Sequence, residues 1–190
     1  VGVEVQETTL LLQQLLDSAL PTRAAIMPID GWLVPLRMIK TAQELQKLRE
    51  NFALTDVGHV AARKAVQAGK REIDVWTEIH AAVQQAAGRR VPLGNDCVVG
   101  YRQNNIGGWP EDLAIREHDN VIVDLSTLAH GYWSDSCMTY YAGEPTAEQV
   151  KLHKTCAEAL TFAISLVRPG IVAKDLDQGV RQFMQKAGYA

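Results

Sequence analysis

The chain has 190 residues, enough for one domain with a full core or for one domain and part of another. With 47% apolar and 22% charged residues and a net charge of −3, it has the composition of an ordinary folded protein and no basic footprint for a nucleic acid. Three cysteines without regular spacing argue against a disulfide framework or a zinc knuckle. No apolar run approaches the roughly 20 residues of a membrane span, and with no leader pattern at the start a cytoplasmic location is expected.

In chain order, residues 1 to about 38 read as a strand, a helix over Leu10–Ala19 and a strand near Ala24–Met27, punctuated by Pro21, Pro28 and Pro35. That is too little to close a core alone. A long helix is expected from Thr41, where Thr41-Ala-Gln-Glu44 forms a capping box: the threonine hydroxyl accepts from a first-turn N–H and Glu44 reaches back. Leu45, Leu48, Phe52, Ala61 and Ala65 give this helix an apolar stripe, and Gly69 ends it. A second helix runs from about Ile73 to Ala87 and stops at Gly88. Cys97-Val-Val-Gly100 and an irregular Asn- and Gly-rich stretch lead to two strands, Asn120 to Thr127 and Tyr132 to Ala142. Thr146-Ala-Glu-Gln149 is a second capping box and opens a helix to Val167. Pro169-Gly170 turns the chain into a last helix that ends at Ala187, before Gly188.

The helical part of this order occurs twice. Thr41-Ala-Gln-Glu-Leu45 matches Thr146-Ala-Glu-Gln-Val150, Val66-Gln-Ala-Gly69 matches Val167-Arg-Pro-Gly170, and Ala87-Gly88 matches Ala187-Gly188. The first copy reads helix–helix–hairpin and the second helix–helix, so a second hairpin is expected outside this chain. Common helix grammar is the competing explanation.

The strongest chemical signal lies in the two strands, Asn120-Val-Ile-Val-Asp124-Leu-Ser-Thr and Tyr132-Trp-Ser-Asp135-Ser-Cys-Met-Thr. With Ala129-His130 at a hairpin tip, Asp124 is expected directly opposite Asp135, with β-carbons roughly 4.5–5.5 Å apart. Carboxylates that close repel unless cations lie between them or one is protonated. Two-metal sites hold their ions about 3.5–4 Å apart, which suits such a pair. Asp124 also sits in an apolar run, where an unpaired ionised carboxylate is costly. The competing reading has one aspartate capping a turn and the other exposed.

The segment Asn120 to Pro145, with Val121-Ile-Val-Asp124-Leu125, Gly131-Tyr-Trp-Ser-Asp135 and Gly143-Glu-Pro145, resembles the pita-bread family of methionine aminopeptidases, prolidases and creatinases. The eleven-residue separation of Asp124 and Asp135 is similar to that of the family's metal-binding hairpin. Met38-Ile-Lys-Thr41 and Pro169-Gly170 followed by Lys174-Asp-Leu176 also fit, so the resemblance covers residues 38–190. It implies an α/β fold of the α+β type, present in part: a curved antiparallel sheet with helices on one face. Residues 1–37 resemble the tail of the extra N-terminal domain of the prolidase and creatinase branch.

The resemblance further implies that Asp124 chelates one divalent ion and Asp135 bridges two. The ions would be Mn, Co, Fe or Zn, and a water between them would attack the amide carbonyl of a small peptide or amide, in the manner of an Xaa-Pro dipeptidase. One His and two Glu ligands would lie beyond Ala190. The chain alone is then expected to be inactive and to self-associate as a homo-oligomer through bare apolar surface.

One departure concerns substrate. Where the family has a substrate-contacting His, this chain has Asn104-Asn-Ile-Gly-Gly-Trp-Pro110, with Gly107 in the corresponding place. Trp109 and Tyr101 are the candidate substrate-binding residues, with Arg102 beside them; Trp109 as a loop aromatic covering the sheet is the alternative. The departure leaves room for a creatinase-like C–N hydrolase that needs no metal, or for a non-catalytic pita-bread module that binds a partner. The presence of both Asp124 and Asp135 counts against each. Cys137 shares a strand face with Asp135 and reads as a small buried packing residue or a neighbour of the metals. His59 and His80 read as surface or core residues.

Overall fold

A computed structural model of the protein describes residues 1–22, 24–102 and 108–189. Contacts divide the chain into two units, Val1–Glu50 and Asn51–Ala190.

The first unit carries β1 (Gly2–Val3), α1 (Leu10–Ala19), β2 (Met27–Pro28) and α2 (Val34–Met38), then the opening turns of α3 (Ala42–Ala65). β1 and β2 pair in parallel. The Asp30 carboxylate accepts from the N–H groups of Val5 and Gln6, both at 3.0 Å, and those bonds hold its carboxyl below the usual carboxylate value. Thr9 caps α1. α2 was not expected from the sequence; Pro35 in its first turn supplies a preset φ and lacks only an N–H that would have no helical partner. At Thr41 the expected capping box is present: Thr41 N–H reaches Glu44 Oε2 at 2.7 Å and Glu44 N–H reaches Thr41 Oγ1 at 3.2 Å.

In the second unit α3 continues to Ala65, four residues short of Gly69. It is followed by α4 (Glu72–Ala87), β3 (Leu93–Val99), β4 (Asn120–Ala129), β5 (Tyr132–Trp133), β6 (Ser136–Tyr141), α5 (Ala147–Leu166) and α6 (Ala173–Lys186). β4 pairs antiparallel with β3 on one side and with β5 and β6 on the other. Its burial alternates: Val121, Val123, Leu125, Thr127 and Ala129 point into the core, while Ile122, Asp124, Ser126 and Leu128 point to the other face. The core joins Val121, Val123 and Leu125 to Ala62 and Ala65 of α3 and to Val75 and Ile79 of α4, so both helices cover one face of the sheet. Each buried Val or Leu contributes about 1.5–3 kcal/mol. α5 packs on α6, with Phe162 and Phe183 stacked at 5.3 Å. The two helical pairs repeat as the sequence implies, α3 of 24 residues matching α5 of 20 and α4 of 16 matching α6 of 14.

The buried face of α3 differs from the expected apolar stripe. Leu45 and Phe52 are exposed, whereas Asn51, Thr55, Gly58, His59, Ala62 and Ala65 are buried. Small and polar residues face the sheet because the helix lies so close to it: a Cβ added at Gly58 would collide with Leu125 Cδ2 and lie 3.1 Å from Val83 Cγ2.

Glu72, fully buried at the start of α4, ties the loops to this frame. Its carboxylate accepts from Val99 N–H at 2.8 Å, from Glu111 N–H at 2.9 Å and from Arg102. Arg102 also donates to Glu111 at 2.6 Å and to the Trp109 carbonyl at 3.4 Å. One buried acid thus fixes the end of β3 and the segment carrying Trp109.

Candidate metal centre

The hairpin between β4 and β5 turns on His130 and Gly131, whose φ values of 56° and 81° are those of a two-residue turn with both centres left-handed. Ala129 therefore pairs with Tyr132, Leu128 with Trp133 and Asp124 with Cys137. This corrects the expected register, in which Asp124 directly opposed Asp135. The turn lies one residue further along than Ala129-His130, and every pairing moves by two. A shift of two leaves each side chain on its face, so Asp124 and Asp135 still share the open face of the sheet.

The expected second strand is not continuous. β5 ends at Trp133 and β6 begins at Ser136, so Ser134 and Asp135 belong to neither. Ser134 N–H still donates to the Thr127 carbonyl at 2.9 Å, but Thr127 N–H donates to the Ser134 hydroxyl at 2.9 Å. On the open face Ser126 Oγ donates to Asp135 Oδ1 at 3.3 Å.

A third carboxylate joins the pair. Asp96, on β3, lies directly across the ladder from Asp124. Its Oδ2 accepts from Gly108 N–H at 3.0 Å. Burial pushes the Asp124 carboxyl above its ordinary value, and the nearby carboxylates of Asp135 and Asp96 add to the rise. Asp124 Oδ1 is buried without a hydrogen-bond partner among the described residues. An orphaned carboxylate oxygen with further carboxylates nearby offers oxygen donors of the type that a hard divalent cation takes. It is not a finished cage: among the described residues no three His, Cys, Asp or Glu side chains converge to hold an ion.

Cys137, facing Asp124, is exposed on this same side and is not the buried packing residue considered from sequence. Trp109 is 76% exposed, and Tyr101 is exposed with the Arg116 guanidinium 4.9 Å from its ring centre. Gly107, where the sequence departs from the expected His, lies outside the described residues. His59 is buried beneath the sheet, and His80 stacks on Trp76 at 3.8 Å. Asp96 is not marked as a site residue by the sequence, because Leu93-Gly-Asn-Asp-Cys is rich in residues that strands disfavour. The detectable signal was the apolar Cys97-Val98-Val99 run that follows it.

Residues 46–190 match the metallopeptidase family M24. The chain is 28% identical over 161 residues to an Xaa-Pro dipeptidase of Pyrococcus furiosus and 27% identical over 161 residues to one of Pyrococcus horikoshii. Each comparison takes in 85% of this chain and 46% of the relative, so the chain spans about half the length of the curated relatives it matches. Among solved structures it is similar to the X-Pro aminopeptidase from Thermotoga maritima, with a TM-score of 0.88 and 21% identity, over 99% of this chain and 52% of that one. It is likewise similar to the prolidase from Pyrococcus horikoshii, with a TM-score of 0.86 and 25% identity, over 99% of this chain and 54% of that one. The fold is therefore the α/β pita-bread fold, present in part. With three quarters of its length matched, including every strand of the carboxylate-bearing sheet, the chain belongs to the metallopeptidase family M24.

Proposed function

We propose that this chain supplies the N-terminal part of the metal centre of an Xaa-Pro dipeptidase-like hydrolase acting on a small peptide or amide. Asp124 and Asp135 would hold two divalent ions, Mn, Co, Fe or Zn, together with one His and two Glu beyond Ala190. Ions bound there would supply a water of lowered pKa and a Lewis acid for the substrate carbonyl. Asp124 presents an oxygen that has no hydrogen-bond partner among the described residues, and Ser126 orients Asp135 through its hydroxyl. Asp96 adds negative charge from the adjacent strand and anchors Gly108, next to Trp109. Trp109 and Tyr101 are assigned to the substrate side because they are exposed aromatic residues on the loop tied to Asp96 and Glu72. Residues 1–37 are assigned to the tail of a preceding domain.

The observation that carries this reading is the buried Asp124 Oδ1, without a hydrogen-bond partner among the described residues, with its carboxyl held above the ordinary value beside Asp135. Calorimetric titration of Mn into this chain, alongside Asp135→Ala, tests it. Weak saturable binding that disappears in the variant is expected. No uptake, or uptake indifferent to Asp135, overturns the assignment of the metal centre.

A further inference from the structure

Asn51, Thr55 and His59 recur every four residues on α3, and all three are buried. They meet Tyr132, Ser134 and Ser136, which recur every two residues on the return arm of the hairpin. Four residues of helix advance about 6 Å and two of strand about 6.6 Å, so the two rows keep step. Asn51 Nδ2 donates to the Tyr132 carbonyl at 2.8 Å and to the Thr127 carbonyl at 2.9 Å, and Thr127 Oγ1 donates back to Asn51 Oδ1. Thr55 Oγ1 lies 2.6 Å from Ser134 Oγ. His59 Nε2 lies 3.1 Å from both the carbonyl and the hydroxyl of Ser136, and Nδ1 lies 3.0 Å from the Tyr140 hydroxyl. A carbonyl only accepts, so Nε2 carries the hydrogen that reaches Ser136.

These contacts fall where the sheet's own ladder lapses. Asp135 lies outside β5 and β6, and the residues on both sides of it are gripped from below by α3. An all-apolar helix face would fill the same space without the cost of burying polar groups. A fully connected polar network gives instead a single strand position.

We propose that Asn51, Thr55 and His59 are positioning residues: they fix the backbone on either side of Asp135 so that its carboxylate stands beside Asp124 for a divalent ion. This rests on the metal reading above. The test uses the full chain, with Mn as the ion and amide hydrogen exchange at residues 134–136 as a second readout. Thr55→Val removes the hydroxyl at nearly constant shape, whereas Thr55→Ser retains it. His59→Gln retains a donor near the Nε2 position, whereas His59→Asn retains one only near Nδ1. Thr55→Val and His59→Asn should weaken Mn binding about tenfold, the lower end for loss of an outer-shell partner, and speed exchange at 134–136. Thr55→Ser and His59→Gln should stay close to the parent in both.

A merely structural stripe would lower the melting temperature of all four variants while leaving the Mn affinity of the folded chain unchanged, and that result overturns the proposal. So does unchanged exchange at 134–136 in both Thr55→Val and His59→Asn. If Thr55→Val does not fold, the His59 pair decides. Absence of Asp135-dependent Mn binding in the parent chain is the separate result that removes the metal reading, and this proposal with it.

Discussion

Asp96 lies directly across the β3–β4 ladder from Asp124, so the aspartate on the central strand has carboxylates on both sides of it. The Asp124 carboxyl is raised above its ordinary value of 3.8, first by burial and then by Asp135 and Asp96. The folded chain therefore holds this proton more tightly than the unfolded chain does. Without a cation, stability from this group is lost as pH rises from about 3.8 through the raised folded value. In chelator, Asp124→Asn should melt at a higher temperature than the parent at neutral pH, and the gain should vanish below pH 3.8. Melting curves of both proteins across pH measure this. A gain of equal size at both ends of the range would mean that charge is not its cause.

Glu72 offers a sharper test of the frame. It is fully buried and accepts from two backbone N–H groups and from Arg102, itself mostly buried. Glu72→Ala leaves the Val99 and Glu111 N–H groups without their acceptor, while Arg102 keeps Glu111, and should cost about 1–3 kcal/mol for each N–H left unsatisfied. Glu72→Gln keeps an acceptor oxygen and should cost less. Urea unfolding gives both values. A loss under about 1 kcal/mol in Glu72→Ala, the scale of an exposed pair, would show that the carboxylate is not the tie between β3 and the Trp109 segment.

Much of this architecture is legible in the sequence, for identifiable reasons. The helices announce themselves through capping boxes at Thr41 and Thr146 and glycine stops at Gly88 and Gly188, all local signals, and the helical repeat follows from them. Asp124 stands out because it interrupts an apolar strand pattern, and Asp135 because it lies eleven residues on, on the return arm of the same hairpin. The register does not follow from that pattern. It depends on His130 accepting a left-handed φ beside Gly131, and His-Gly is a less obvious turn pair than Asn-Gly. Asp96 is masked locally, by neighbours that strands disfavour, but the polar stripe of α3 is hidden for a deeper reason. Asn51, Thr55 and His59 look like solvent-facing residues on a helix wheel until the hairpin that they satisfy is in place. Tertiary hydrogen bonding, not local preference, decides which face of α3 is buried.

Gly58 shows the same dependence from the packing side. A Cβ there would meet Leu125 Cδ2, with Val83 Cγ2 at 3.1 Å and Ile79 Cγ2 at 3.5 Å. Gly58→Ala should therefore destabilise by about 1–3 kcal/mol through overpacking, although alanine ordinarily favours a helix by roughly 1 kcal/mol over glycine. A stabilised variant in chemical denaturation would mean that the α3–β4 approach is looser than this contact requires.

The three thiols should separate cleanly under alkylation of the native chain. Cys97 is buried on β3, and burial pushes its thiol up to about 12. Since the thiolate is the nucleophile, Cys97 should react only on unfolding. Cys137 and Cys156 are both exposed. Partial burial first, then the charges of Asp124, Asp135 and Asp96, push the Cys137 thiol above its ordinary value. At mildly alkaline pH, Cys156 should therefore be modified first, Cys137 more slowly and Cys97 last, as read by peptide mass spectrometry over time. Asp124→Asn removes the largest of the charges acting on Cys137 and should speed its alkylation while leaving that of Cys156 unchanged. If Cys137 reacts as fast as Cys156 in the parent, or ignores the loss of the Asp124 charge, then the cross-strand pairing of Asp124 with Cys137 does not bring their side chains close enough to interact.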